Sequence, residues 1–389
     1  MAGVITMQVY LDNSATTRPS AEVRRMIADT AEKEWYNPSA LYRPALDVQK
    51  RIDHTRETIL NAAGAAGNRV IFTSGGTESD NLALLGYMRS RRPGSKVLIS
   101  SVEHPAVSAC KEELKREGYP TEEIPASAKG TVDMERLAEM MTPDTALISV
   151  MQVNNETGTV EPLEEIVRLR NRICPEAAVH VDGVQGFLRV PLAFNRTGIQ
   201  SYAFSGHKIH ALKGIGALIC AKSHIIRPLQ LGGGQESGIR SGTENTFGIL
   251  SLETAIINWK PDDCGKIRKL KNRLWSEISA RIPEAKVNGP DPADKSSAPH
   301  ILNIALPPVR SQTMLFALEG DGIYVSAGSA CASRKQRISP VLKAMGIPAE
   351  RADCSLRFSL SRENTEEEIL YTAERVAVQY SLLKKFVRR

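Results

Sequence analysis

Between about residues 60 and 225, short continuous apolar runs alternate with stretches of helical periodicity. Val70-Ile71-Phe72-Thr73 reads as a strand and is followed by a helix from about Glu78 to Arg91. Val97 to Ser100 is a second strand, and Pro105 to Gly118 is a helix with proline early and glycine at its end, as helix boundaries prefer. Ala146 to Met151 is a strand, Pro162 to Cys174 a helix, and Ala178 to Asp182, Ser201 to Phe204 and Gly216 to Ala221 are further strands. Strands this apolar, separated by helices, predict an α/β fold with a mostly parallel sheet covered on both faces. After Gly248 the pattern predicts one long helix towards Arg281, and Asn288-Gly289-Pro290-Asp291-Pro292 is a turn-rich break. A smaller α+β unit follows: a strand near His300 to Leu306, a helix near Ser311 to Glu319, then Ile323-Tyr324-Val325, with a further strand expected around Arg357. Val9-Tyr10-Leu11 is strand-like and is expected to pack onto this unit. The division expected is a large domain over residues 15–260 and a small domain made of 1–14 and 261–389.

Composition narrows the class. The 389 residues suffice for two domains, and 42% hydrophobic with 24% charged residues is ordinary for a globular enzyme. The formal net charge of +6 is spread over the chain without a basic face, so nucleic acid is not the expected partner. The basic run at 384–389 reads as the end of a final helix. No apolar run is long enough to cross a membrane, and the N-terminus lacks a signal-peptide pattern. The six cysteines are scattered without a CxxC pair, which argues against a zinc site or disulfide framework and for free thiols in the cytoplasm.

Polar motifs fall at the carboxyl ends of the strands, where ligands bind in such sheets. They are Ser74-Gly75-Gly76-Thr77, Glu103-His104, Asn154-Asn155-Glu156, Asp182 and Ser205-Gly206-His207-Lys208. A lysine that can form an imine, with an upstream aspartate to hold a pyridine nitrogen protonated, suits pyridoxal phosphate (PLP). Glycines, Thr77, Ser205 and His207 suit a phosphate, and His104 suits ring stacking and proton transfer. Asn155 and Gln185 are amides available to a ring oxygen or a carboxylate, and Arg357 can clamp a carboxylate with two hydrogen bonds. Gly232-Gly233-Gly234-Gln235 and Arg240-Ser241-Gly242-Thr243 offer a second anion contact, from a neighbouring subunit. Cys331 stands apart from the other five cysteines: six Ser or Ala residues and one Gly flank it, and Arg334, Lys335 and Arg337 follow. Small neighbours and nearby cations favour an exposed, nucleophilic thiolate.

Taken in order, these motifs resemble the cysteine desulfurases of the NifS/IscS group, among the class V aminotransferases of PLP fold type I. The resemblance rests also on the runs Tyr10 to Thr17, Phe72 to Asn81, Glu103 to Val107, Val153 to Gly158 and Asp182 to Gly186, and it covers nearly the whole chain. It implies that Lys208 carries PLP, that Asp182 meets the pyridine nitrogen, Gln185 the ring hydroxyl and His104 the ring face. It further implies phosphate contacts from Gly76, Thr77, Ser205 and His207, with Thr243 reaching across a homodimer. L-cysteine would be bound through its carboxylate by Asn155 and Arg357, with Asn37 nearby. Cys331, on a mobile loop at about 326–338, would accept the sulfur as a persulfide and pass it to an iron–sulfur scaffold or a tRNA- or cofactor-thiolation enzyme; it could also be a transient iron–sulfur ligand, with no resident metal expected. The chain departs from the group's usual pattern at Ala40 and Tyr42 within the run Asn37 to Tyr42, and at Ser237 and Ser361. Related readings within PLP chemistry are a selenocysteine lyase or another class V enzyme; a non-catalytic sulfur or iron scaffold is disfavoured by the Lys208, Asp182 and His104 set.

Overall fold

In a computed structural model, residues 7–327 and 339–386 are described. A seven-stranded sheet runs in the order Arg69–Thr73, Gly216–Cys220, Ser201–Ser205, Ala178–Asp182, Thr145–Met151, Lys96–Ser100, Thr121–Ile124. Gly216–Cys220 is antiparallel to both neighbours and every other pairing is parallel. The mostly parallel sheet that the apolar runs predict is therefore present, with one reversed strand. Its central strands are buried on both faces, which is why they carry no alternation. One core cluster, including Phe72, Ile148, Val181 and Phe204, fills one face, and a second, including Ile71, Ile99 and Leu218, fills the other.

A separate apolar cluster, including Leu11, Leu274, Leu302, Leu356, Phe358 and Val376, lies under a three-stranded antiparallel sheet of Ser355–Ser359, Ile301–Ala305 and Lys286–Val287. Val9–Tyr10 pairs in parallel with Ile323–Tyr324 beside it. The Glu366–Leu383 helix covers this cluster and begins with a reciprocal cap, in which Thr365 accepts from Glu368 N and Glu368 accepts from Thr365 N.

Three elements differ from the pattern-based expectation. The helix expected from Glu78 starts at Gly76 and widens into a π-helical segment at Leu82–Gly86, where the Gly86 carbonyl accepts instead from Arg227 N at 2.9 Å. The helix expected over 105–118 is split at Ala109 into Pro105–Ser108 and Cys110–Arg116. The long helix after Gly248 is two helices, Thr246–Ile257 and Asp263–Arg281, because Pro261 lacks an amide hydrogen and cannot continue a helix. Pattern reading passed over the Ala21–Lys33 and Arg43–Ala62 helices and the Thr121–Ile124 strand. That strand is at the sheet edge, so Glu122 and Glu123 face water and no apolar run marks it.

Close packing directly behind the strand ends leaves no slack. A Cβ on Gly183, the residue after Asp182, would lie 1.9 Å from the Tyr202 ring. Gly183→Ala should lower stability by about 1–3 kcal/mol and displace Asp182. Thermal unfolding of the cofactor-free protein, with PLP binding measured in parallel, checks this.

Candidate active site

The six co-directional strands end at one edge of the large sheet, and their carboxyl-terminal turns line a cavity of about 250 Å³. The lining includes Gly76, Thr77, His104, Asn155, Asp182, Gln185, Ser205, His207, Lys208 and Arg357. Ten residues that the sequence singled out thus come together, although they span positions 76 to 357. Asn37 is not among them: it is exposed, and its Oδ1 accepts from Ser39 N in a local turn. Thr243 is exposed as well and does not line the cavity of its own chain. Cys331 lies outside the described residues.

Lys208 follows the Ser201–Ser205 strand in a tight turn. The turn is clasped by the N-terminal segment: Thr17 N and Oγ1 both donate to the His207 carbonyl, and Thr17 Oγ1 accepts from His210 N. These bonds hold His210 at φ +68°, a left-handed conformation that a non-glycine residue adopts only under constraint. The Lys208 Nζ donates to the carbonyls of Ser14 at 2.5 Å and Ala15 at 2.8 Å. Burial, then the Arg357 and Arg189 guanidiniums, bring its pKa down from 10.5 to about 7. A large fraction of the amine is therefore uncharged near neutrality, the form that adds to an aldehyde.

Asp182 ends its strand beneath the cavity, and its Oδ1 accepts from Val184 N at 2.8 Å. Burial first, and then the Asp80 carboxyl, push its pKa up to about 8. Asp80 also lines the cavity; it is fully buried, bonds to His180 Nε2 at 3.2 Å, and burial holds it well above the carboxylate range. Glu103 is a third buried acid, its pKa raised by burial and then by Asp182 and Asp80. An acid cluster of this kind is poised to ionise once a cation, such as a protonated ring nitrogen, lies against it.

His104 caps the Pro105–Ser108 helix by accepting from Ala106 N through Nδ1, so the neutral ring carries its proton on Nε2. Burial, followed by the Lys208 charge, lowers its pKa to about 4. His207 is held by Thr16 Oγ1 at 3.1 Å, and burial lowers its pKa to about 4 as well. Arg357 is 2% exposed; its Nη2 donates to Asp12 and its Nη1 to the Asn155 carbonyl, both at 2.8 Å. Its Nε is buried without a partner, a donor awaiting an acceptor. Asn155 thus meets Arg357 through its backbone while lining the cavity itself.

Among the described residues the cysteines are Cys110, Cys174, Cys220, Cys264 and Cys354, none disulfide-bonded. Burial pushes the thiols of Cys110 and Cys220 up to about 12, which makes them poor nucleophiles.

The class-V aminotransferase model matches residues 9–371. The chain belongs to the class-V aminotransferases, in the NifS/IscS group of cysteine desulfurases. It is 37% identical over 373 residues to the cysteine desulfurase IscS of Clostridium botulinum, covering 94% of this chain and 93% of that one. Its fold is similar to that of a NifS-like protein, with a TM-score of 0.89 and 31% identity over 97% of this chain and all of the other. It is also similar to SspA solved in complex with cysteine, with a TM-score of 0.80 and 27% identity over 92% of this chain and all of the other. The family is PLP-dependent. The residues of the cavity fit that cofactor: a buried amine, an acid with a raised pKa, and a polar end where a Cβ on Gly76 would come within 2.5 Å of Val184 Cγ2.

Sequence reading missed Asp80, the Ser14 and Ala15 carbonyls, and Asp12 as the partner of Arg357. The signal for Asp80 was an acid two residues before the apolar Leu82-Ala83-Leu84. For the N-terminal residues it was the polar run Asp12 to Thr17 after a short strand.

The depressed Lys208 pKa gives a direct expectation. Covalent uptake of PLP by the cofactor-free protein should quicken as pH rises through about 7 and then level off, rather than rise towards 10.5. Stopped-flow absorbance at varied pH, followed by borohydride trapping, reads this out.

Proposed function

We propose that this protein is a PLP-dependent cysteine desulfurase that takes sulfur from L-cysteine, releases L-alanine and holds the sulfur as a persulfide on Cys331. The observation that carries the reading is the convergence, in one cavity, of the uncharged Lys208 amine, the Asp182 carboxyl and the half-satisfied Arg357 guanidinium.

Bound PLP supplies a ring that stabilises negative charge at the substrate Cα. Lys208 would hold the cofactor, with Asp182 available to its ring nitrogen, Gln185 to its ring oxygen and His104 to its face. Gly76, Thr77, Ser205 and His207 hold the phosphate, and Thr243 completes that end from the second subunit of a homodimer. Arg357, braced by Asp12, presents Nε to the substrate carboxylate, with the Asn155 side chain beside it. Lys208, once freed, leaves the Ser14 and Ala15 carbonyls and takes the Cα proton. His104, neutral with its proton on Nε2, can donate a hydrogen bond to the substrate from that atom.

Cys331 then attacks the substrate sulfur as thiolate. A sulfur–sulfur bond forms, the carbon–sulfur bond breaks with its electron pair going to carbon, and protonation of that carbon, together with return of the Cα proton from Lys208, yields alanine. Cysteine and the enzyme thiol become alanine and the enzyme persulfide, so no external oxidant or reductant is needed at this step. The persulfide goes to an acceptor protein of iron–sulfur assembly or of tRNA or cofactor thiolation.

Replacing Cys331 with alanine should cut sulfide and alanine release from L-cysteine by roughly a hundredfold or more while leaving the visible PLP absorbance in place. Undiminished turnover with dithiothreitol would refute the nucleophile. Replacing Lys208 with alanine should abolish borohydride-stable attachment of PLP, which peptide mapping would detect.

A further inference from the structure

His300 precedes the Ile301–Ala305 strand, outside the large sheet, and is completely buried. It does not line the cavity. Its Nε2 nevertheless lies 3.3 Å from Gln185 Oε1. The other end of that amide, Gln185 Nε2, donates to the Ser14 carbonyl at 3.0 Å. The Ser14 carbonyl is also the acceptor for the Lys208 amine.

Donor and acceptor chemistry fixes every orientation in this chain of contacts. A backbone carbonyl only accepts, so the amide nitrogen must face Ser14. The amide oxygen therefore faces His300, and it too only accepts. The proton of the imidazole must then sit on Nε2, leaving Nδ1 as a bare acceptor, and Nδ1 is indeed without a partner. Burial, and then the surrounding Arg189, Lys271, Arg357 and Arg268 cations, hold the His300 pKa well below its ordinary value, so the ring is neutral with a single N–H. The His300 backbone is itself held in place, because its carbonyl accepts from Leu360 N at 2.8 Å. Among the described residues Gln185 Nε2 has no acceptor other than Ser14, so its second N–H is free for the cavity that Gln185 lines.

We propose that His300 is a positioning residue for the cofactor: by donating from Nε2 to Gln185 Oε1, it prevents the amide from flipping and keeps an N–H of Gln185 aimed at the ring oxygen of PLP. The inference rests on the reading of the cavity as a PLP site with Gln185 at the ring oxygen. Without His300, only the Ser14 carbonyl opposes rotation of the amide, and the Gln185 oxygen turns more readily towards the ring oxygen, exchanging a hydrogen bond for a repulsion between acceptors.

The test uses the full-length, PLP-loaded protein and follows the pH midpoint of its visible absorbance change. A donor at the ring oxygen favours the deprotonated form, so losing it raises the midpoint. His300→Leu should raise the midpoint by roughly 0.5–1 pH unit, the size of one ordinary net hydrogen bond. His300→Gln, whose amide nitrogen reaches the position of Nε2, should restore most of the shift. Gln185→Leu should raise the midpoint similarly, and the double variant should shift no further than Gln185→Leu alone, because His300 acts only through the amide. If His300→Leu does not fold, His300→Asn, too short to reach Gln185, takes its place with the same expected shift. An unmoved midpoint in the His300 or Gln185 variants, or a His300 effect that adds fully to that of Gln185→Leu, overturns the proposal. Borohydride trapping separates the two levels: no label on Lys208 in the unsubstituted protein removes the PLP reading itself, whereas a trapped label with an unmoved midpoint removes only the role of His300.

Discussion

The segment from Val9 to Ser20 ties the two hydrophobic cores together, and the cavity exists where it crosses between them. At its start Val9 pairs with Ile323, Leu11 N donates to the Tyr324 carbonyl and Asn13 N to that of Ser359. At its end Thr17 and Ser20 grip the turn from His207 to His210 that presents Lys208. In between, the Ser14 and Ala15 carbonyls hold the Lys208 amine, and the Asp12 carboxylate braces Arg357. A stretch of about a dozen residues thus fixes the amine and the guanidinium relative to each other. Loss of backbone order there would separate the Lys208 amine from the Arg357 guanidinium.

Electrostatics makes the same region reactive. Asp80, Glu103 and Asp182 are crowded together in a dry environment that favours their neutral forms. Lys208 is buried beside Arg357 and Arg189, which favours its neutral form. The cavity therefore suppresses charge on both its acids and its amine until a ligand arrives that carries charge of its own. A cofactor with a cationic ring nitrogen and an aldehyde would meet an acid ready to ionise and an amine ready to add. This is preorganisation in the sense that the protein has already desolvated the groups that must act.

Much of the site was legible as local chemistry. Gly76 and Thr77 after one strand, His104 after another, Asp182 at the end of a third and Lys208 after a fourth each announced themselves by breaking an apolar run with a polar turn. What escaped were residues whose role depends on a distant partner. Asp12 meets Arg357 across 345 positions, and His300 meets Gln185 across 115. No spacing rule connects such pairs, because the pairing is made by sheets folding over one another. Asn37 shows the converse: the sequence placed it at the site, yet its side chain closes a local turn with Ser39. The single long helix expected after Gly248 was a failure of a different kind, since apolar periodicity outweighed Pro261 in the reading although proline's missing amide hydrogen outweighs periodicity in the chain.

The sequence by itself determined the alternation of strand and helix, the direction of the sheet and the identity of the groups at its carboxyl edge, because these follow from side-chain period and from where polar residues interrupt apolar runs. Only the tertiary structure decided the charge states and orientations of those groups. Protonation depends on how far water is excluded and on which charges end up adjacent, and the aim of an amide depends on what faces each of its ends. Both are set by contacts between segments that lie hundreds of residues apart in the chain.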